Sequence, residues 1–597
     1  MTQAKNKSQR LLEPYIIMGL VAFYIGHWIA KSIELAPVSL SSYDPFRLRQ
    51  VAWFLAHPFH QPLLDPVPSV FSLCLGSLSF LGVLALYFRS GDNRLYRSRE
   101  EHGSARFATV EELKNFRDEE PENDKILTQH ARMGMFNARL PYQFQVNKNT
   151  LVTGLPGDWK TRAFVKPGLL QTNSSFVVTD PKGLLVHEVG HSLKQAGYKI
   201  KVFDLVTLQN TCQFNVFHYM TTETDIDRVA ESIIHGTKRS DNQGEDFWAQ
   251  AEMLLIRALI GYLYFSSKYH EVTPHLAQIA DMLRMLKREH PDTKSPVELM
   301  FDELEQLLPN NYASKQFTLF MKNFGGQTLM SVLAITSSRF AVFDHDDVRH
   351  IVKEDTLDIE KWQLEKTAVF IAIPETDKTY NFLANLLFVT MFRILPNIAD
   401  EILQGRHPIY NPENLIHLRA IMDEFAQLNR IPYFTESLSS LRSREISIDI
   451  IVQAISQIQT TYKDEWKTIL NNCGTLLYLG TNDKDTMEYF SMRSGKQTIH
   501  QRNTSQTYSQ QGSSSESIQT IGRPLLTPDE VARIGLDEAL VFISKQNVFR
   551  DKKYNLDSHP RAHLLANHPK DPTWFTYNMA NHDIQEWDDN IKKDSVA

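Results

Sequence analysis

Residues 153–162 read TGLPGDWKTR, and this stretch decides the fold class. Phosphate-binding loops follow the pattern G-x-x-x-x-G-K-[ST] between a strand and a helix. Gly154 opens the pattern and Lys160-Thr161 closes it, but Trp159 stands where the pattern has its last glycine. The stretch therefore predicts a degenerate phosphate-binding loop that contacts phosphate through Lys160 and Thr161.

Two outcomes are open for the substituted loop. Glycine at position 159 would let backbone N–H groups wrap a phosphate without a Cβ in the way, and Asp158 brings a negative charge close to the phosphates. In one outcome, Trp159 blocks the phosphate cradle and hydrolysis is lost. In the other, Gly157 supplies the flexible joint, the indole turns outward and the loop follows another path.

Strand patterns occur on both sides of the loop, and helical patterns lie between them. TRAFVKPGLLQ (161–171) predicts the helix that follows the loop. Apolar stretches predict strands at 148–154, 174–183, 198–205, 367–374, 417–426, 446–456 and 474–483. Strands separated by helices predict parallel βαβ units in an α/β sheet.

Between the strands, residues 223–350 have helical periodicity and no strand alternation, which predicts an inserted all-α domain. The Ser/Gln/Thr-rich stretch 503–520 is predicted to be a mobile loop. The predicted organisation is a membrane anchor, the first part of a nucleotide-binding domain, the all-α domain, the second part of the nucleotide-binding domain and a C-terminal tail, at 1–100, 101–222, 223–350, 351–562 and 563–597.

Two apolar runs within the first hundred residues predict membrane helices over about 14–34 and 67–88. A buried helix or a signal peptide is the alternative for the first run. Lysine and arginine residues precede the first run and follow the second, which predicts that both termini lie on the cytoplasmic side of the cell membrane. The bulk of this multi-pass chain is then expected in the cytoplasm.

Composition narrows the function classes. The 597 residues are 42% hydrophobic and 22% charged, with a formal net charge of -7. These values exclude wholesale disorder, and the negative charge excludes coating of nucleic acid by bulk electrostatics. The three widely spaced cysteines fit a reducing compartment better than a disulfide framework.

A second motif complements the loop. In LRAIMDEFA (418–426), an apolar strand runs directly into Asp423 and Glu424. In nucleoside triphosphatases, the first such acid holds Mg²⁺ and the second activates the attacking water. A strand end followed by a helix cap has the same appearance, so the motif gains weight from the Lys-Thr loop in the same chain.

Three stretches carry a family resemblance: HGSARFAT (102–109), FVKPGLLQTNSSFVVTDPKG (164–183) and MDEFAQLNRIPYFTESLSSLRSREISIDIIVQAISQ (422–457). The chain resembles the TraG/TraD-type coupling proteins of type IV secretion and conjugation, in particular their Gram-positive branch. The resemblance implies a RecA-like P-loop NTPase domain with an inserted all-α domain, preceded by two transmembrane helices. In the family, an acid usually follows the glycine of DPKG, where this chain has Leu184.

The resemblance also implies roles for particular residues. Lys160 and Thr161 match the residues that bind ATP phosphates and Mg²⁺, while Asp423 and Glu424 match the Mg²⁺-binding and catalytic acids. Arg442 matches an arginine that acts on a neighbouring subunit, with Arg444 as a competitor. Gln453 matches a glutamine that senses the γ-phosphate, with Gln457 as a competitor.

The implied function is an ATP-driven hexameric motor. Its implied partners are single-stranded DNA with bound relaxase, the membrane and the proteins of the type IV secretion channel. A membrane docking receptor without hydrolysis is the alternative that the substituted loop leaves open. A chromosome-partitioning ATPase shares the fold but not HGSARFAT, and an ABC transporter is disfavoured by the two membrane runs and the missing signature loop.

Overall fold

The computed structural model describes residues 12–38, 47–63, 67–89, 100–237, 245–270, 272–288, 290, 293–376, 378–507 and 513–579. The chain divides into two compact units, Met1–Ser98 and Arg99–Ala597.

The first unit contains the helices α1 (Leu12–Glu34), α2 (Leu48–Ala56) and α3 (Val70–Arg89). α1 and α3 approach closely at glycines: a Cβ at Gly76 would lie 2.9 Å from the Phe23 carbonyl oxygen. Gly19, which is earlier in α1, faces Phe80, which is later in α3. The two helices are therefore antiparallel, and small residues let them touch, as in membrane helix pairs.

The second unit is built on a sheet of nine strands in the order β13-β12-β9-β3-β8-β7-β4-β6-β5. The seven strands from β9 to β5 are parallel, while β12 and β13 add an antiparallel edge. The strands of the unit are β1 (Asp124–Ile126), β2 (Arg132–Gly134), β3 (Thr150–Thr153), β4 (Ser175–Asp180), β5 (Lys199–Asp204), β6 (Thr367–Ala372), β7 (Leu418–Met422), β8 (Ile446–Val452), β9 (Thr475–Tyr478), β10 (Lys496–Thr507), β11 (Ser513–Pro524), β12 (Glu538–Ile543) and β13 (Phe549–Lys552).

The central strands are buried on both faces. Every residue of β4, β6 and β8 is buried, which is why these segments read as near-continuous apolar runs. The helices of the unit are α4 (Val110–Lys114), α5 (Lys166–Leu170), α6 (Leu185–Gln195), α7 (Thr224–Gly236), α8 (Glu245–His270), α9 (Ala277–Met285), α10 (Pro296–Leu307), α11 (Tyr312–Asn323), α12 (Gly326–Phe340), α13 (Asp346–Lys353), α14 (Asn381–Leu403), α15 (Phe434–Ser440), α16 (Ile455–Tyr462), α17 (Trp466–Asn471), α18 (Lys484–Ser494) and α19 (Pro528–Ala532).

Helices α7 to α13 lie between β5 and β6 in the chain. This arrangement confirms the predicted α/β fold with a helical insertion. The inserted helices run from Thr224 to Lys353, and the predicted range for the all-α domain is 223–350. The domain boundaries themselves remain predictions.

Within the part of the chain that the structure describes, three helices are long and apolar enough to cross a membrane: Pro14–Glu34, Val70–Tyr87 and Asn381–Leu403. The first two match the predicted spans. The third is α14, and 78% of its most apolar window is buried inside the structure. Packing within the α/β unit therefore accounts for the apolar character of α14.

The prediction of a mobile loop at 503–520 is wrong for the described residues. β10 and β11 pair in antiparallel register from Lys496↔Pro524 to Thr507↔Ser513. Polar Thr, Gln and Ser side chains give the ribbon no apolar pattern, and the cross-strand hydrogen bonds that hold it are made by the backbone. Residues 508–512 lie outside the described part.

A C-terminal strap, residues 553–579, crosses the α/β unit and includes all of the described part of the predicted tail, 563–579. The backbone N–H groups of Ala566 and Phe575 donate to carbonyl oxygens of α6 at 3.0 and 2.9 Å. The His187 ring stacks on Trp574 and Tyr577, with centroids 4.9 and 5.2 Å away. The strap is therefore packed structure despite its lack of periodicity.

Candidate functional site

The phosphate-loop motif leaves the carboxyl end of β3, which lies between β9 and β8 in the parallel part of the sheet. Gly154 continues the strand pairing, because its N–H donates to the Val452 carbonyl oxygen at 3.1 Å. After the loop, Thr161–Val165 form a wide π-helical turn that leads into α5. The strand, loop and helix therefore have the order that a phosphate-binding loop requires.

Trp159 takes a backbone conformation that favours glycine. Its φ is 64°, in the left-handed region, and the residue is 50% exposed. A bulky residue in that region costs about 1 kcal/mol relative to glycine. The half-exposed indole fits the outward-turned outcome better than a blocked cradle, and Gly157, with a φ of 90°, supplies the flexible joint.

Asp158 has a cationic neighbour, contrary to the expectation of a charge that only repels phosphates. Its Oδ2 atom accepts the Leu155 N–H at 2.7 Å. Lys553 donates to the Asp158 carbonyl oxygen at 3.1 Å, and its Nζ lies 3.8 Å from Oδ1. The negative charge of Asp158 is therefore largely balanced within the fold.

Lys160 meets the second motif across the sheet. Its Nζ donates to Glu424 Oε1 at 2.8 Å. Glu424 Oε2 accepts from Gln453 Nε2 at 3.2 Å, while Gln457 Oε1 accepts the backbone N–H of Gln453 at 2.9 Å. The structure thus brings Lys160, Glu424 and Gln453 together, and it places Gln453 rather than Gln457 against the acid.

Thr161 and Asp423 lie beside this group. Thr161 Oγ1 donates to Asp423 Oδ2 at 3.3 Å, and Thr179 Oγ1 donates to the Asp423 carbonyl oxygen at 2.7 Å. Burial raises the pKa of the Asp423 carboxyl, while the nearby Lys160 ammonium opposes that shift. A hydroxyl and a carboxylate side by side supply oxygen ligands that suit Mg²⁺. The residues of this site therefore fit Mg²⁺ and a nucleoside triphosphate.

The DPKG segment follows β4 at the same edge of the sheet. The Asp180 carboxylate accepts the backbone N–H groups of Leu185 at 2.7 Å and of Lys182 at 3.3 Å. Burial raises the pKa of Asp180 to about 6. Leu184, where the resemblance led to the expectation of an acid, is 48% exposed.

Arg442 lies away from the loop of its own chain. It sits in the 3₁₀ turn Leu441–Arg444, just before the amino end of β8, whereas Lys160 follows the carboxyl end of the parallel strand β3. Its exposed guanidinium donates to the Gln145 carbonyl oxygen at 3.1 Å. The competitor Arg444 is bound to Asp400 Oδ2 at 2.7 Å.

Two residues of the loop's surroundings were missed by sequence reasoning. Lys553 and Gly480 both contact Asp158, and a Cβ at Gly480 would lie 2.3 Å from Asp158 Oδ2. Neither belongs to a motif, and Lys553 is 395 residues from its partner. In the sequence, only the unusual acid Asp158 within the loop indicated that a cation such as Lys553 would be needed to balance its charge.

The geometry of the site agrees with a comparison against protein families. The family model described as "Type IV secretory system Conjugative DNA transfer" matches residues 106–569, which are more than half of the chain. The chain belongs to this family. The match includes the loop, the Asp423-Glu424 pair, the helical insertion and the first part of the strap.

Curated relatives support the same family of coupling proteins. The chain is 24% identical over 399 residues to the conjugal transfer protein TraG of Rhizobium radiobacter, covering 65% of the chain and 59% of that protein. It is 25% identical over 385 residues to a TraG of Escherichia coli, covering 62% and 59%. The matched part therefore spans less than two thirds of these relatives, and the narrower Gram-positive branch stays a prediction.

Solved structures support the fold. The plasmid coupling protein TrwB in complex with ADP and Mg²⁺ has a TM-score of 0.52 and 17% sequence identity, covering 79% of this chain and 97% of that one. At such identity the likeness shows the fold alone. The chain therefore has the P-loop NTPase fold with a helical domain that the sequence predicts.

Proposed function

We propose that the chain is a membrane-anchored coupling protein of a type IV secretion system. It recruits single-stranded DNA with bound relaxase and uses ATP to deliver this substrate to the proteins of the transfer channel. The observation that carries the proposal is the meeting of Lys160 and Thr161 with Glu424 and Asp423 in a chain of the conjugative DNA transfer family. Lys and Thr from the loop and the two acids that directly follow β7 form the two halves of an Mg-nucleotide site.

Each residue of the proposed site has its own role in binding or hydrolysis. Lys160 binds phosphate oxygens, and Thr161 with Asp423 holds Mg²⁺. Bound Mg-ATP supplies the phosphoanhydride bond whose hydrolysis releases the free energy for transfer. Glu424 orients the attacking water and accepts its proton, and Gln453, at 3.2 Å from Glu424, keeps that carboxylate in place.

Arg442 acts on the nucleotide of a neighbouring copy. It is exposed and lies at the edge of the sheet opposite to its own loop. An arginine supplied by a neighbour stabilises charge on the transferred phosphoryl group and couples adjacent sites. A closed homo-hexameric ring, as the family resemblance implies, gives every site such a neighbour.

α1 and α3 anchor the chain in the cell membrane. They are long and apolar enough to cross it, and they pack antiparallel. An antiparallel pair places both chain ends on one side, and the flanking basic residues favour the cytoplasm. The α/β unit with its nucleotide site is then cytoplasmic.

A transfer assay tests this function. A donor strain that lacks the gene receives the native chain, Lys160→Ala or an empty vector, and the frequency of DNA transfer to a recipient is counted. We expect transfer with the native chain and the empty-vector frequency with Lys160→Ala, at equal amounts of protein in the membrane. Native-level transfer with Lys160→Ala would favour the docking receptor, which needs no nucleotide.

A further inference from the structure

The strap approaches the phosphate loop through a buried lysine. Lys553 follows β13 directly, and its side chain is 1% exposed. Its ammonium donates to the carbonyl oxygen of Asp158 at 3.1 Å and lies 3.8 Å from the carboxylate of the same residue. The Asp158 side chain is 12% exposed, so this is an ion pair with little screening by solvent.

Asp158 closes a tight turn at the tip of the loop. Its N–H donates to the Leu155 carbonyl oxygen at 3.1 Å, and its Oδ2 accepts the Leu155 N–H at 2.7 Å. Pro156 and Gly157 occupy the corner, and a φ of 90° at Gly157 suits the third position of such a turn. The turn is therefore held by the backbone and by the carboxylate together.

Gly480, after β9, completes the enclosure of Asp158. A Cβ at position 480 would lie only 2.3 Å from Asp158 Oδ2. Its φ of 154° is also a conformation that residues with a Cβ rarely adopt. Three distant segments thus fix one carboxylate: the loop itself, the connection after β9 and the strap.

We propose that Lys553 and Gly480 are positioning residues that hold the Asp158 turn and so keep the loop able to bind phosphate with a tryptophan at position 159. The inference rests on the proposed function, because it names what supports the same nucleotide site. A charge-assisted contact to Asp158 is strong enough to offset the unfavourable left-handed backbone conformation of Trp159. Burial lowers the pKa of Lys553, and the nearby Asp158 carboxylate opposes this shift.

The rival arrangement has Asp158 as an internal anion that occupies the place of a phosphate. Removing its charge would then improve binding of a nucleotide. We call the support of the Asp158 turn by Lys553 and Gly480 the brace. The brace predicts weaker binding of the nucleotide, because the turn loosens without Lys553 or without the Asp158 carboxylate. The direction of the change in affinity therefore separates the two arrangements.

The experiment uses the full-length chain in detergent, with Lys553→Met, Gly480→Ala, Asp158→Asn and the double variant Asp158→Asn/Lys553→Met. The matched control is Asp557→Asn, which removes an exposed ion pair between the strap and Arg162. The first readout is amide hydrogen exchange of the loop peptide 154–160 without nucleotide. The second is the Kd of a fluorescent ATP analogue, with Lys160→Ala as the reference for lost binding.

We expect Lys553→Met to speed exchange of the loop and to raise the Kd by about tenfold, the size of one lost charge-assisted hydrogen bond. Gly480→Ala should change both readouts in the same direction, because its Cβ would displace the Asp158 carboxylate. Asp557→Asn should match the native chain in both readouts. If Lys553→Met does not fold, the double variant, which leaves no unpaired charge, should still show faster loop exchange than the native chain.

Native exchange and native affinity in Lys553→Met, Gly480→Ala and the double variant would overturn the brace. Tighter binding in Asp158→Asn would also overturn it, in favour of the internal anion. Equal Kd values for native and Lys160→Ala would reject the proposed nucleotide site. Loop exchange would still decide the brace in that case, because it is measured without nucleotide.

Discussion

Lys160 and Glu424 form an ion pair at the carboxyl edge of the sheet: their Nζ and Oε1 atoms lie 2.8 Å apart, although 264 residues separate them. The side chains are only 8% and 18% exposed. The pair joins the two halves of the nucleotide site before any ligand binds. Because a phosphate and Glu424 are both anions, they compete for the same ammonium group.

This competition predicts the behaviour of Glu424→Gln. The variant should bind a fluorescent ATP analogue about tenfold more tightly than the native chain, because Lys160 is released from a partly buried partner. It should release phosphate at the background rate, because glutamine cannot accept a proton from water. Phosphate release at the native rate would show that Glu424 is not the base.

Arg442→Ala should separate turnover from binding. Loss of a trans-acting arginine lowers kcat by about a thousandfold and leaves affinity for the ATP analogue near the native value, since the arginine acts on the transition state. Arg444→Ala is the matched control, because Arg444 is engaged in an ion pair with Asp400 of its own chain. A loss of affinity in Arg442→Ala as large as that in Lys160→Ala would argue against a trans role.

Trp159→Gly tests the substituted loop. Since the indole is half exposed and the backbone already has a φ of 64°, glycine fits without displacing the loop. We expect the Kd for the ATP analogue to stay within about threefold of native, as relief of strain and added flexibility largely cancel. A large gain in affinity would show that the indole does block the phosphate cradle.

His559 should make the strap sensitive to acid. Its Nδ1 accepts the Arg561 N–H at 3.1 Å and its Nε2 lies 3.2 Å from Gln171 Oε1, an arrangement that suits the neutral ring. Burial, with Arg561 and Arg132 nearby, lowers the pKa of His559 to about 4. The unfolded chain takes up this proton near pH 6.5, so the stability that His559 contributes is full above that pH and is lost as the pH falls towards 4.

Melting temperatures check this pH dependence. Between about pH 7.5 and about pH 5.5, the Tm of the native chain should fall further than that of His559→Gln, whose amide keeps a donor for Gln171 and does not titrate. Equal falls in both chains would contradict the assignment.

The sequence predicted the centre of the site because its residues follow strand ends in recognisable motifs. Lys160 and Glu424 were expected to share one site, and parallel strands bring them together. The brace was not predictable, since Lys553 pairs with Asp158 across 395 residues and outside any motif. The β10–β11 ribbon was not predictable either. It is held by backbone hydrogen bonds between the strands, and its polar side chains show no apolar periodicity.

Phosphate release from ATP by the full-length chain, compared with Lys160→Ala in the same detergent and with or without single-stranded DNA, tests the central claim most directly. We predict hydrolysis by the native chain that rises when single-stranded DNA is added, and background release by Lys160→Ala under both conditions. Equal release from the two chains would contradict an ATP-driven coupling protein with its catalytic site between β3 and β7.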